Sequence, residues 1–107
     1  MHFRELTAFC YAMEKFTMAR RLLMLPHPLG ETAAIGRAVH ECLLGLQQLQ
    51  EEELDDDSRK RIRRLKAVMD TARMEDAELS LLQKSELSDL VDGLAEAFTR
   101  QFYSRAA

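Results

Sequence analysis

A chain of 107 residues is the size of one domain, and we expect residues 1–107 to form a single helical-bundle domain. A content of 47% apolar and 31% charged residues is typical of a folded globular protein and excludes a disordered segment. The net charge of −3 argues against a dedicated nucleic-acid-binding protein, because such proteins are usually strongly basic.

The sequence predicts a protein of the cytoplasm. No apolar run approaches the roughly 18 residues of a membrane helix. The N-terminal residues MHFREL carry charge at once and lack the apolar core of a signal peptide. Cys10 and Cys42 form no CxxC motif, so we expect two small buried thiols in a reducing compartment.

The first helix is predicted over residues 4–24 and is apolar on two sides. One side is a stripe typical of a bundle helix, formed by Leu6, Phe9, Met13, Phe16 and Leu23. The second side is formed by Ala8, Tyr11, Ala12, Met18 and Leu22. Because a helix that is apolar on two sides is usually covered on two sides, we expect a homo-oligomer with this second group as its interface.

Pro26 and Pro28 end the first helix, and a second helix is predicted from about residue 31 to residue 50. Its apolar face is formed by Ile35, Val39, Cys42, Leu46 and Leu49. Gly36 and Gly45 each cost about 1 kcal/mol relative to alanine inside a helix. They either allow a close helix crossing or are simply tolerated.

A third helix is predicted over residues 59–74, with Asp56, Asp57 or Ser58 as its cap and an apolar face formed by Ile62, Leu65, Met69 and Ala72. It either ends near Glu75 or continues through Leu79 and Leu82. A fourth helix is predicted after the cap Ser85, with an apolar face formed by Leu87, Leu90, Val91, Leu94, Phe98 and Phe102. Four helices with short connections predict an all-α fold, an antiparallel four-helix bundle.

The outward face of the third helix is strongly basic and is formed by Arg59, Lys60, Arg63, Arg64 and Lys66. Such a face could contact the phosphates of RNA or DNA without reading their sequence. Alternatively, it is a solvated face balanced by neighbouring acids at helical spacing, for example Asp56 with Lys60 and Asp57 with Arg61.

The histidines offer weaker candidates. Arg21 and His27 are separated by five residues, a spacing similar to that of the arginine–histidine pair of HEPN ribonucleases. His40, Glu41 and Cys42 are consecutive and point to different faces of a helix, so we expect no metal site within one chain. No catalytic motif is present, and we expect no cofactor and no enzymatic activity.

The chain resembles the accessory variability determinant proteins of diversity-generating retroelements, which belong with the ribosomal-RNA intervening-sequence four-helix proteins. The resemblance lies in the order of the helices, in Leu25 and Pro26 closing the first helix, and in the CLLG segment from Cys42 to Gly45, with Arg37 one turn before it. This chain differs from that family in being acidic and in lacking tryptophan.

The resemblance implies a non-catalytic, ring-shaped pentamer that binds a reverse transcriptase and its template RNA or DNA through basic surfaces. We therefore expect an oligomeric accessory protein of a reverse-transcriptase-type complex, with the basic face of the third helix in contact with nucleic acid. The alternative is a small acidic interaction protein, of the inhibitor or antitoxin type, that docks on a basic partner through its carboxylates and binds no nucleic acid.

Overall fold

The computed structural model describes residues 3–74 and 79–106. Within these residues the chain forms four α-helices: α1 (Phe3–Met24), α2 (Glu31–Leu46), α3 (Asp56–Met74) and α4 (Leu81–Ala106). A short 3₁₀ helix, Glu51–Glu53, lies between α2 and α3. The described part of the chain contains no β-strand, and the prediction of an all-α four-helix bundle is confirmed.

The ends of α1 and α2 follow from the turn between them and from the acidic segment after α2. α1 ends at Met24, as predicted, and α2 begins after Gly30, whose φ of 95° favours glycine. α2 ends at Leu46, four residues before the predicted end at Gln50. Its continuation is unfavourable because the carboxylates of residues 51–53 would lie near the negative end of the helix dipole.

The caps of α3 and α4 lie earlier in the chain than predicted. The Ser58 amide donates a hydrogen bond to Asp55 Oδ1 at 2.8 Å, so the cap of α3 is Asp55 and not one of the three residues after it. Ser80 Oγ accepts a hydrogen bond of 3.1 Å from the Gln83 amide, and Gln83 Oε1 accepts one of 2.9 Å from the Ser80 amide. This reciprocal capping box starts α4 at Leu81, so Ser85 lies inside the helix.

The connection between α3 and α4 was predicted to be either a helix end near Glu75 or a continuous helix. Glu75 itself lies outside the described residues, as does the side chain of Ala72. Leu79 is buried but not helical, and the α3 helix is described only as far as Met74.

The core forms around α1, which packs against both α2 and α4, while α3 packs mainly against α4. The rings of Phe9 and Phe16 lie 6.3 Å and 5.0 Å from the ring of Phe98 in α4, the latter edge to face. From α3, Leu65 and Met69 complete this cluster and are almost fully buried. α2 and α4 therefore cover α1 on two sides within one chain, although Met18 of its second apolar side remains exposed.

The two glycines inside α2 have different surroundings. A Cβ atom added at Gly45 would lie 3.0 Å from Lys15 Cβ and 3.1 Å from Cδ2 of Phe16, closer than such atoms normally approach. A Cβ atom added at Gly36 would meet no atom within 4 Å. Gly45 thus permits a close crossing of α1 and α2, whereas Gly36 is only tolerated.

Replacing these glycines by alanine should change stability in opposite directions. Gly36→Ala should raise the free energy of unfolding by about 0.5–1 kcal/mol, since it removes the cost of glycine in an open helical position. Gly45→Ala should lower it by about 1–3 kcal/mol, because the added methyl group forces α1 away from α2. Urea unfolding followed by circular dichroism measures both, and equal stabilisation by the two variants would contradict the close crossing.

The Asp55 cap should make the stability of the chain depend on pH. Hydrogen bonds from the Ser58 side chain and amide lower the pKa of the Asp55 carboxyl. The ionised cap therefore stabilises the fold fully above the ordinary aspartate pKa of about 3.9, and this stabilisation is lost as the pH falls through the lowered pKa. Asp55→Ala should therefore cost about 1 kcal/mol at neutral pH and progressively less below about pH 4.

Asp55→Asn is the matched control for the cap, since asparagine keeps the acceptor oxygen but has no carboxyl proton. Its free energy of unfolding should stay within about 0.5 kcal/mol of the wild type at neutral pH. A deficit of Asp55→Ala that is the same at pH 7 and pH 2.5 in urea titrations would show that the carboxylate is not the cap.

Candidate functional site

The basic face of α3 lies on the side of the helix turned away from the core. Ile62, Leu65 and Met69 are buried against the rest of the chain. The opposite side carries Lys60, Arg63, Arg64 and Lys66, all exposed, with Arg59 half-buried at its edge. The structure therefore places all five predicted cations on one helix as a face accessible to a partner.

Two of these five cations, and the neighbouring Arg61, are held by carboxylates of the same chain. Arg59 pairs with Asp56, and Arg61 Nη1 lies 3.1 Å from Asp57 Oδ2. Arg64 Nη2 donates a hydrogen bond of 3.1 Å to Oε2 of Glu86 in α4, and its Nε lies 2.8 Å from Glu86 Oε1 without hydrogen-bond geometry.

These ion pairs bear on the alternative interpretation, in which neighbouring acids balance the charge of the basic face. The predicted pair of Asp57 and Arg61 is present. Asp56 pairs with Arg59 and not with Lys60, so that part of the prediction was wrong. Because Arg59 and Arg64 are tied to carboxylates, neither is fully available to an incoming phosphate.

The remaining three cations form what we call the basic triad: Lys60, Arg63 and Lys66. Among the side chains that the structure describes, none of the three has a carboxylate oxygen within 4.0 Å. Their spacing of three residues spreads them over about 9 Å of the helix axis. The triad is thus a short row of exposed positive charge that makes no ion pair with a described carboxylate.

The two residues of the ribonuclease pair lie on different elements, at the end of α1 and in the turn after it. Arg21 is exposed in the last turn of α1. His27 is half-buried in the following turn, where its Nδ1 accepts a hydrogen bond of 3.1 Å from the Leu29 amide. His27 lines two neighbouring cavities of about 440 and 430 Å³, and Arg21 is not among the described residues that line either of them.

The other polar candidates in α2 are also separated. His40 is exposed, whereas Glu41 and Cys42 are buried. Burial, together with the Glu41 carboxylate, raises the pKa of the Cys42 thiol to about 12, which makes it unreactive at neutral pH. Cys10 was predicted to be buried, but it is only half-buried, and neither cysteine forms a disulfide. Within the described chain, no three His, Cys, Asp or Glu side chains are placed to hold a metal ion.

A buried ion pair between α1 and α2 is the polar feature that the sequence analysis missed. Glu41 is only 2% exposed, and its two oxygens face different cations. Lys15 Nζ lies 3.2 Å from Oε2, without the geometry of a hydrogen bond, and Arg37 Nε lies 3.3 Å from Oε1. The Lys15 ammonium group also lies 5.5 Å from the centre of the Tyr11 ring.

The position of Glu41 in the sequence already indicated that its carboxylate would be buried. Glu41 lies on the stripe of small buried residues formed by Ala34, Ala38 and Gly45, at steps of four and three. A carboxylate on such a stripe must face a cation of the neighbouring helix, because burying it alone is costly. The sequence analysis tested Glu41 only as a metal ligand.

The five residues predicted as an oligomer interface do not form one exposed face. Ala8 and Ala12 are buried within the chain, Tyr11 and Leu22 are half-buried, and Met18 is exposed. The reason is that α2 and α4 already cover α1 on two sides. Ala8 and Ala12 are therefore unavailable to another subunit, and this part of the predicted interface is corrected.

Comparisons with family models, curated proteins and solved structures find no match to this chain. Among the described helices, none has the length of apolar sequence needed to cross a membrane.

Lys15→Met should show whether the buried ion pair is obligatory. Removing the lysine leaves the Glu41 carboxylate buried with Arg37 alone, so the free energy of unfolding should fall by about 2–3 kcal/mol. Because the Lys15 side chain is partly exposed, this cost lies below that of a fully buried pair. Urea unfolding measures the loss, and Lys15→Met with Glu41→Leu should recover most of it.

Arg37→Met is the matched control, since it removes the second, largely exposed cation of the same carboxylate. It should change the free energy of unfolding by no more than about 1 kcal/mol. If the Lys15 and Arg37 variants were equally destabilised, or if the double variant were no more stable than Lys15→Met, the buried pair would not have this role.

Proposed function

We propose that this chain is a non-catalytic accessory protein that binds RNA or DNA through the basic triad of α3. The observation that supports it is that Lys60, Arg63 and Lys66 are exposed, while no described carboxylate lies within ion-pair distance of them. In line with the family resemblance, the nucleic acid is that of a reverse-transcriptase-type complex, and the chain acts as a homo-oligomer.

Affinity in such a site comes from phosphate contacts. Each cation that neutralises a phosphate releases a counterion from the nucleic acid, which favours binding at low salt. The described outward face of α3 carries no aromatic side chain that could stack on a base. Binding should therefore depend on the backbone of the nucleic acid and not on its sequence.

The packing of α3 supports this role because it holds the triad at a defined place. Ile62, Leu65 and Met69 anchor the opposite side of the helix in the core. The ion pair of Arg64 with Glu86 adds a polar link between α3 and α4. Since the backbone of the triad is already ordered, binding has to order only three long side chains.

Reversing two charges of the triad tests the proposal. The double variant Lys60→Glu, Arg63→Glu should weaken binding of a short fluorescein-labelled single-stranded RNA by at least about tenfold at low salt, as measured by fluorescence anisotropy. It should also reduce the slope of log affinity against log salt by about 1–2, because two phosphate contacts are lost. Both side chains are exposed, so the melting temperature should not change.

The control is the single reversal Arg21→Glu, an exposed cation of α1, compared with the single reversal Arg63→Glu, which changes the net charge by the same amount. Arg64 is left intact, since a glutamate at that position would face Glu86 and disturb the fold. Equal loss of binding in the control would show an effect of net charge alone. A wild type that binds no RNA or DNA at low salt would contradict the proposal and favour the acidic interaction protein.

RNA cleavage provides a separate readout for the ribonuclease interpretation. The same labelled RNA can be followed on a denaturing gel after incubation with the wild type. Cleavage that is lost in His27→Ala would contradict the non-catalytic assignment and support the pair of Arg21 and His27.

A further inference from the structure

One end of the bundle carries a cluster of exposed apolar side chains, which we call the end patch: Met24, Leu25, Leu29, Leu81 and Leu82. They are between 63% and 84% exposed. Met24 and Leu25 close α1, Leu29 lies in the turn before α2, and the two remaining leucines form the first turn of α4. Single exposed leucines are ordinary, but a group of five at the junction of three elements is not.

The end patch surrounds a recess in the surface. A cavity of about 440 Å³ lies between the end of α1 and the start of α4, with Leu25, Pro26 and Leu87 among its apolar lining. Lys84 and Ser88 of α4 also line it, and Leu81 continues the same side of that helix one turn earlier. Leu29 lines the adjoining cavity of about 430 Å³, which shares Leu22 and His27 with the first.

We propose that a second copy of this chain docks on the end patch and forms a two-fold symmetric dimer. The patch carries both protruding side chains and a recess that can receive them. Leu29 and Leu81 are more than four-fifths exposed; Leu29 lines the adjoining cavity, and Leu81 precedes Lys84 of the recess by about one turn of α4. In a two-fold interface the leucine of each copy enters the recess of the other, so one patch supplies both halves of the contact.

The size of the end patch fits this occupant. Since each of the five residues is 63–84% exposed, the group ranks with the largest apolar patches of a typical monomer, which measure roughly 300–600 Å² and are often functional. A standard-size interface buries about 800 Å² on each partner. Together with the exposed Pro26 and Pro28 and the apolar lining of the recess, the end patch supplies the apolar centre of such an interface.

The charges at the recess also permit two copies to meet. Lys84 Nζ lies 3.1 Å from Glu31 Oε2 at the lining of the cavity, so each copy neutralises this pair by itself. Covering the recess then buries no uncompensated charge from these two residues. The end patch shares no residue with the basic triad, and the dimer is independent of nucleic-acid binding.

The test is the mass of the full chain, free of nucleic acid, in sedimentation equilibrium from low micromolar to several hundred micromolar protein. The wild type should pass from the mass of one chain to that of two as the concentration rises. Leu29→Asp with Leu81→Asp should raise the dissociation constant at least about 100-fold, because it places charges in the apolar contact. An aspartate at the first position of α4 also suits the helix dipole, so the fold should be retained.

Tyr103→Asp is the matched control: Tyr103 is 62% exposed and lies in the same helix, about 33 Å from Leu81 along its axis. It should leave the dissociation constant unchanged. Far-ultraviolet circular dichroism shows whether the double variant is folded. If it is not, the single variant Leu82→Glu replaces it. It should weaken the dimer in the same direction.

The remaining outcomes overturn the proposal. If the wild type stays monomeric at every concentration, the dimer proposal is wrong. This holds even if native mass spectrometry finds a small apolar molecule bound to the chain. An assembly that persists in a folded end-patch variant, or one that is lost with Tyr103→Asp, shows that the contact lies elsewhere.

Discussion

The close crossing of α1 and α2 at Gly45 is the contact on which the rest of the structure depends. The missing side chain lets α2 approach the Cβ atom of Lys15 and the ring of Phe16. That ring then lies edge to face with Phe98 of α4, 5.0 Å away, so one approach aligns three helices. The packing of α1 against both α2 and α4 therefore depends on the absence of a side chain at Gly45.

The same crossing explains why a charge lies in the interior. Lys15 precedes Phe16 and is carried into the contact with it, where its ammonium group loses much of its water. The Glu41 carboxylate compensates for that loss, and Arg37 satisfies its second oxygen at the surface. The apolar crossing at Gly45 and the ion pair of Glu41 are therefore neighbouring parts of one contact between α1 and α2.

The apolar faces of the helices were predictable, since periodicity reports burial directly: Phe9, Phe16, Leu65 and Phe98 all lie in the core as expected. The caps were not, because Asp55 and Ser80 compete with equally suitable residues nearby and only backbone geometry chooses between them. The spacing of the cations along the third helix predicted the basic face, but it did not predict which of these cations form ion pairs. Arg64 meets Glu86 across two helices, a contact that spacing along one helix does not reveal.

The helix that carries the basic triad packs less extensively than the central helix. α1 packs against two helices, whereas α3 packs mainly against α4. Local opening therefore costs less for α3 than for α1, and its amide hydrogens should exchange with solvent earlier than those of the central helix. A polyanion lying along the outer side of α3 would then do more than occupy a surface: it would slow the motion of the helix that the core restrains least.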